Sequence, residues 1–223
     1  MPSSHQIFIT GGTGYLGTRL IPALLARGHR VTALARRGSE RKLPAGCGVV
    51  EGSALDASSF ADKVAPADTL VHLVGTSHPA PWKAEQFRKV DLASVRASVE
   101  AARTGGVRHF VYLSVAQPAP AMRTYVAVRA ECEGLIAGSG LAATFLRPWY
   151  VLGPGHRWPY ALVPFYALFE RLPATRETAR RVGLVKLHEM IAALVWSVEN
   201  PAAGQRVLDV MAIRSAPRPG GEG

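Results

Sequence analysis

The chain has 223 residues, 48% of them hydrophobic and 19% charged, which leaves room for one sizeable core and excludes an intrinsically disordered chain. Twenty-six Lys and Arg against 16 Asp and Glu give a net charge of +10, and two cysteines, Cys47 and Cys132, exclude a disulfide framework. No basic-then-apolar leader opens the chain, and the longest apolar run, from Tyr160 to Phe169, is about half of the roughly 20 residues that span a bilayer. These features predict a cytoplasmic protein with free thiols and no transmembrane segment.

In chain order, Gln6–Thr10 reads as a buried strand, followed by a glycine turn and a helix from Tyr15 to Arg27 that Pro22 should kink. Arg30–Ala35 and Gly48–Glu51 are the second and third strands, and Asp56–Val64 a short helix. Thr69–Val74 is a fourth strand. A long helix spans Trp82 to Thr104, with Leu92, Val95, Val99 and Ala102 on one face, and Gly105-Gly106 stops it. A fifth strand, His109–Ser114, leads through a proline-rich loop to a helix from Met122 to Ala137, then a sixth strand, Ala142–Leu146. Beyond an aromatic, proline-rich stretch come a strand-like Val182–Leu187, a helix His188–Glu199 and a final strand Arg206–Met211.

Continuous apolar strands alternating with helices predict an α/β fold, a Rossmann-type doubly wound parallel sheet covered on both faces. One domain over residues 1–214 is expected, with a small C-terminal cap at about 149–181 and a flexible tail at 215–223. Trp149, Tyr150, Trp158, Tyr160, Phe165, Tyr166 and Phe169 concentrate in that cap. They read as core packing, as an apolar substrate pocket, or, beside Arg171 to Arg181, as a peripheral membrane contact. No basic run interleaves with aromatics, so no nucleic-acid partner is expected.

The strongest motif follows the first strand. Gly11, Gly14 and Gly17, with Thr13, Tyr15 and Leu16 between them, stand between a strand and a helix, the context that a dinucleotide-binding turn requires. A side chain at Gly11 or Gly14 would keep the backbone from a pyrophosphate, and Gly17 is expected to let the helix pack on the sheet. Thr18-Arg19 stands where a P-loop needs Lys then Ser or Thr, which excludes the NTPase reading. At the end of the second strand an NAD-preferring fold places a carboxylate against the ribose. Here Arg36-Arg37 stands instead, suited to a 2′-phosphate, so NADP is expected ahead of NAD; two solvated loop arginines are the alternative.

With these segments TGGTGYLG, VHLVG, LSV, the Tyr125–Arg129 helix and LRPWYVLGPG in this order, the chain resembles the atypical short-chain dehydrogenase/reductase family, in the group with NmrA-like and NAD(P)H-binding epimerase-like members. The resemblance covers roughly residues 5–212. It implies that Gly75 sits beside the adenosine half of the cofactor. Ser53 and Ala54 stand near the adenine, where the family usually has a Gly-Asp pair. It also implies a serine, a tyrosine and a lysine in catalysis, matched here by Ser114, Tyr125 and Arg129. Positions i and i+4 share a helical face, which brings a cation beside the phenol. Arginine in place of lysine keeps the charge but not the compact contact with the nicotinamide ribose. The expected activity is an NADP(H)-dependent oxidoreductase on a small carbonyl-type substrate. A catalytically inactive dinucleotide-binding sensor or scaffold is the alternative, and a sugar epimerase a third.

Other chemistries are not supported. The seven histidines are scattered, so no metal site is expected. His72, inside an apolar strand, reads as a satisfied core residue. His78 follows the fourth strand and is a candidate for the substrate cleft. The oligomeric state is left open.

Overall fold

The computed structural model describes residues 4–77, 79–119, 121–154 and 182–217. A seven-stranded sheet is built from β1 (Gln6–Thr10), β2 (Arg30–Ala35), β3 (Gly48–Glu51), β4 (Thr69–His72), β5 (His109–Leu113), β6 (Ala142–Leu146) and β9 (Gln205–Leu208), in the spatial order β3-β2-β1-β4-β5-β6-β9. Every adjacent pair is parallel. The strand order reverses between β1 and β4, and that is where a doubly wound sheet opens its ligand crevice, outside the carboxyl ends of the strands. The predicted fold is present.

Alternation along each strand divides the core between the two faces of the sheet. Phe8, Leu70, Phe110 and Phe145 point to one side, where α2 (Ala93–Thr104) and α3 (Arg123–Gly138) cover them with Val95, Val128 and Ile136. Ile7, Ile9, Val71 and Val111 point to the other, under α1 (Gly17–Leu25) and α4 (Leu187–Glu199), which contribute Leu20, Leu24, Leu194 and Val198. A second, two-stranded parallel pair joins β7 (Tyr150–Leu152) to β8 (Leu184–Lys186). Among the described residues no helix is long and apolar enough to cross a membrane.

Several boundaries differ from the sequence reading for identifiable reasons. The first helix starts at Gly17, because Thr13–Leu16 are spent in the glycine turn, and it continues through Pro22. Asp56–Val64 is two short 3₁₀ turns, Ala57–Ser59 and Ala61–Lys63, the first capped by the Asp56 carboxylate. The long helix predicted over Trp82–Thr104 is broken. A 3₁₀ turn at Pro81–Lys83 and a single turn at Ala84–Gln86 run into a π-helical stretch, Phe87–Leu92, before α2 begins. The wider turn carries Asp91 fully into the interior.

The strand predicted over Arg206–Met211 ends at Leu208, and α5 (Val210–Arg214) follows. Asp209 causes the change: its carboxylate accepts the Ala212 amide at 2.8 Å and caps the new helix. The cap region 155–181 and the last residues of the tail, 218–223, lie outside the described residues, as does His78.

Two histidines are part of this core. His72 is fully buried, with Thr10 Oγ1 2.7 Å and Ser98 Oγ 2.9 Å from Nδ1, and Ser94 Oγ 3.3 Å from Nε2. It is the satisfied core residue expected. Burial first, then the charge of Arg129, pulls its pKa down to about 3. His109, with Nε2 3.0 Å from Thr144 Oγ1, is lowered to about 4 by burial and then by the Arg206 charge.

Both imidazoles stay neutral in the fold at pH values where the unfolded chain protonates them, from about pH 6.5 downward. The unfolded state therefore binds more protons in that window, and stability falls as the pH drops from about 6.5 toward 4. Urea unfolding at about pH 5 should give a stability ~2–4 kcal/mol below that at about pH 7. Equal values would show that these rings are charged in the native state. Separately, Asp209→Ala should lower stability by about 1 kcal/mol through loss of the α5 cap; an unchanged urea midpoint would refute the capping role.

Candidate functional site

The glycine turn is built on backbone packing. Gly11 has φ +81°, and a Cβ on it would lie 2.8 Å from Leu73 C and 2.9 Å from Val74 N, just past the end of β4. Only glycine lets the turn lie on that strand. A Cβ on Gly17 would run into the backbone of Gly11 and Gly12. Its absence lets α1 start directly on the turn; the expected reason, packing of the helix on the sheet, is corrected to this one. Gly14 is exposed, with only Gly11 O near its side-chain position, and its amide closes the turn on that oxygen at 3.0 Å.

The first turn of α1 contains no acidic residue, so its N-terminus keeps its positive dipole end toward the crevice. Tyr15 is half-buried: its phenol fills the space beside Gly153 that a Cβ would take, and the Arg19 guanidinium lies 4.1 Å from its ring centre. Thr13 is half-buried in the turn and Leu16 is buried beneath it. Such a cradle of backbone, close-packed glycines and a helix N-terminus fits a dinucleotide pyrophosphate.

Around it stand the other expected contacts. Arg36 and Arg37 are exposed just past β2, and Arg37 Nε pairs with Glu51 at 3.1 Å. Ser53 and Ala54 are half-buried past β3, with the Ser53 amide donating to Ser59 Oγ at 2.9 Å. Gly75 lies past β4 in the same row of strand ends.

The three residues matched to catalysis are also at this end of the sheet. Tyr125, half-buried in the first turn of α3, packs against Phe87, with ring centres 4.9 Å apart. The Arg129 guanidinium carbon is 5.2 Å from the centre of the Tyr125 ring, as the i, i+4 spacing predicts. Arg129 itself is only 4% exposed. Its Nη1 donates to Tyr112 Oη at 3.0 Å and Leu113 O at 2.9 Å, and Nη2 is 2.8 Å from Asp91 Oδ1. Burial opposes its charge, but Tyr112, Tyr125 and Asp91 around it hold the guanidinium pKa well above its usual value.

Ser114, just past β5, donates its hydroxyl hydrogen to Glu133 Oε1 at 2.5 Å. Gln117 Nε2 reaches the same oxygen at 2.7 Å, and Arg147 binds both carboxylate oxygens, with Nε 3.0 Å from Oε1 and Nη2 2.5 Å from Oε2.

Sequence reasoning missed Asp91, Glu133 and Met122. Asp91 was hidden by the π-helical turn. Glu133 lies four residues past Arg129 on the same face of α3, a spacing that could have drawn attention to it. Met122 enters α3 with φ +58°, a left-handed backbone that a non-glycine residue adopts at a cost of roughly 1–2 kcal/mol, three residues before Tyr125. Among the described residues no group of His, Cys, Asp or Glu could hold a metal ion. The remaining cap aromatics, from Trp158 to Phe169, and the arginines from Arg171 to Arg181 lie outside the described residues.

Comparison with known proteins follows the same lines. The NAD(P)H-binding family model matches residues 11–164. A ceramide reductase of Caulobacter vibrioides is 29% identical over 201 residues, 89% of this chain and 62% of that protein, so the chain spans less than two thirds of this relative. A 3-diazoavenalumate denitrifying reductase of a Streptomyces species is 28% identical over 89% of this chain and 74% of its own length. In fold, the chain is similar to the Bordetella bronchiseptica enzyme WbmH, solved with NAD+, with a TM-score of 0.69 at 21% identity, covering 93% of this chain and 76% of the other. Family match, sheet order and glycine turn agree: the chain belongs to the NAD(P)H-binding family.

Proposed function

We propose that this protein is an NADP(H)-dependent reductase of a small carbonyl-type substrate, with Tyr125 as the proton donor. The observation that carries the reading is the placement of Tyr125, half-buried over a fixed cation, on the strand ends that also carry the glycine turn. Relatives named as reductases support the direction of the reaction. The bound dinucleotide supplies the hydride. Tyr125 holds the substrate oxygen and gives it a proton, and Arg129 keeps a positive charge behind the ring. Ser114 has its own proton committed to Glu133, so it offers lone pairs and not a donor, which leaves the phenol as the acid.

The cofactor choice rests on the end of β2. Among the described residues Arg36 forms no ion pair, whereas Arg37 has Glu51; Arg36 is the guanidinium available to a 2′-phosphate. Ser53, Ala54 and Gly75 line the adenosine side in this reading. Residues 1–214 act as one domain in this reading. A second reading, a dinucleotide-binding protein without catalysis, is favoured by Ser114 and Arg129 both being spent on internal partners.

Calorimetric titration with NADPH and NADH tests the cofactor assignment. Arg36→Ala should weaken NADPH binding about tenfold, ~1.4 kcal/mol, and leave NADH binding unchanged. Equal losses, or no binding of either nucleotide by the unaltered protein, would overturn it. Against a panel of aldehydes and ketones, Tyr125→Phe should slow NADPH oxidation by about a hundredfold or more at unchanged NADPH affinity. Full turnover in that variant would remove Tyr125 from the chemistry.

A further inference from the structure

We infer that Asp91 is a positioning residue of the cofactor site, clamping the Gly75–Thr76 segment from two sides and withdrawing Arg129 into the wall beneath it. The inference rests on the dinucleotide reading of the site. Asp91 is fully buried, carried inward by the π-helical turn Phe87–Leu92. One carboxylate oxygen, Oδ2, accepts the Thr76 amide at 3.1 Å and the Thr76 hydroxyl at 2.5 Å. The other, Oδ1, is 2.8 Å from Arg129 Nη2. That same Nη2 occupies the place where a side chain on Gly75 would stand. Of these consecutive residues past β4, Thr76 is bonded directly by the carboxylate and Gly75 lies packed against the guanidinium that the carboxylate pairs with.

The energetics point to geometry as the purpose. Taking both ions out of water is costly, and their attraction about repays it, so a buried pair adds little net stability over an apolar one. What this pair does supply is a fixed position. Arg129 donates to Tyr112 and Leu113 while its other terminal nitrogen stands as an ion-pair partner 2.8 Å from Asp91 Oδ1, which ties β5, α3 and the π-helical turn to the end of β4. A lysine ammonium at position 129 lacks the planar fork that meets these partners together. Arginine here is therefore not a loose substitute for lysine reaching a ribose. It belongs to the wall, and Asp91 keeps it there.

The Gly75–Thr76 segment continues from Leu73 and Val74, on which Gly11 lies. Any shift of that segment moves the floor under the glycine turn. The clamp thereby acts on cofactor affinity without touching the cofactor.

The test is titration of NADPH fluorescence with four proteins: unaltered, Asp91→Asn, Thr76→Val and Thr76→Ser. Circular dichroism and melting are recorded on each. Asp91→Asn should weaken NADPH about tenfold and Thr76→Val several-fold, and Thr76→Ser, which restores the hydroxyl, should recover the affinity that valine loses. The same ranking should hold for 2′,5′-ADP, which carries only the adenosine half. NADPH bound equally by all four would overturn the clamp and leave the cofactor reading intact. Losses that follow the melting temperature and are not recovered by serine would also overturn it. If Asp91→Asn does not fold, the valine and serine variants decide by the same criteria. Binding of neither NADPH nor NADH by the unaltered protein would remove the cofactor reading and this inference with it.

Discussion

The close approach of the Gly11 backbone to Leu73 and Val74 is the contact on which the site depends. A peptide chain can come this near to the end of a neighbouring parallel strand only where no Cβ intervenes and φ is free to be positive. The turn is then supported from below by β4, and Gly17 allows α1 to begin on top of it without a spacer. The helix N-terminus, the glycine amides and the reversal of strand order coincide at one place because of these two contacts. Substituting either glycine would lift the turn off its support, whatever happened to the rest of the sheet.

A second organising feature is the treatment of charge in the interior. Asp91 with Arg129, Glu133 with Arg147 and Glu199 with Arg27 and His29 are each buried or half-buried, and each carboxylate has more than one donor. Breaking such a pair from one side leaves an uncompensated charge and costs about 3–5 kcal/mol. Two of the three clusters lie at the carboxyl ends of the strands, within α3 and its neighbours. There they fix Ser114 and Arg129, the cation beside the Tyr125 ring. The third, at the amino ends of the strands, ties the end of α4 to the Arg27–His29 segment that follows α1.

Much of the architecture was legible along the chain. Phe8 between Ile7 and Ile9, with every neighbour apolar, marks a strand buried on both faces, and alternation with helices then leaves few topologies besides a doubly wound sheet. The glycine spacing after that strand located the crevice. What could not be read was local geometry that depends on distant partners. Nothing in the run Phe87–Leu92 signals a π-helical turn, since its residues are as compatible with an α-helix. The winding there goes with the buried contacts of Asp91 to Thr76 and Arg129, partners distant in the chain. Asp209 could have been read as a helix cap, but the apolar run Val207–Val210 that contains it masked the signal.

The sequence by itself determined the order of strands and helices, the dinucleotide-binding turn and the i, i+4 pairing of Tyr125 with Arg129, because these follow from short-range periodicity and backbone sterics. Only the tertiary structure decided what the side chains at those positions are free to do. Ser114 turns its proton to Glu133, and Arg129 spends its guanidinium on Asp91, Tyr112 and Leu113. Which partners meet a buried polar group depends on segments far apart in the chain, and an unpaired charge in the interior is too costly to leave open.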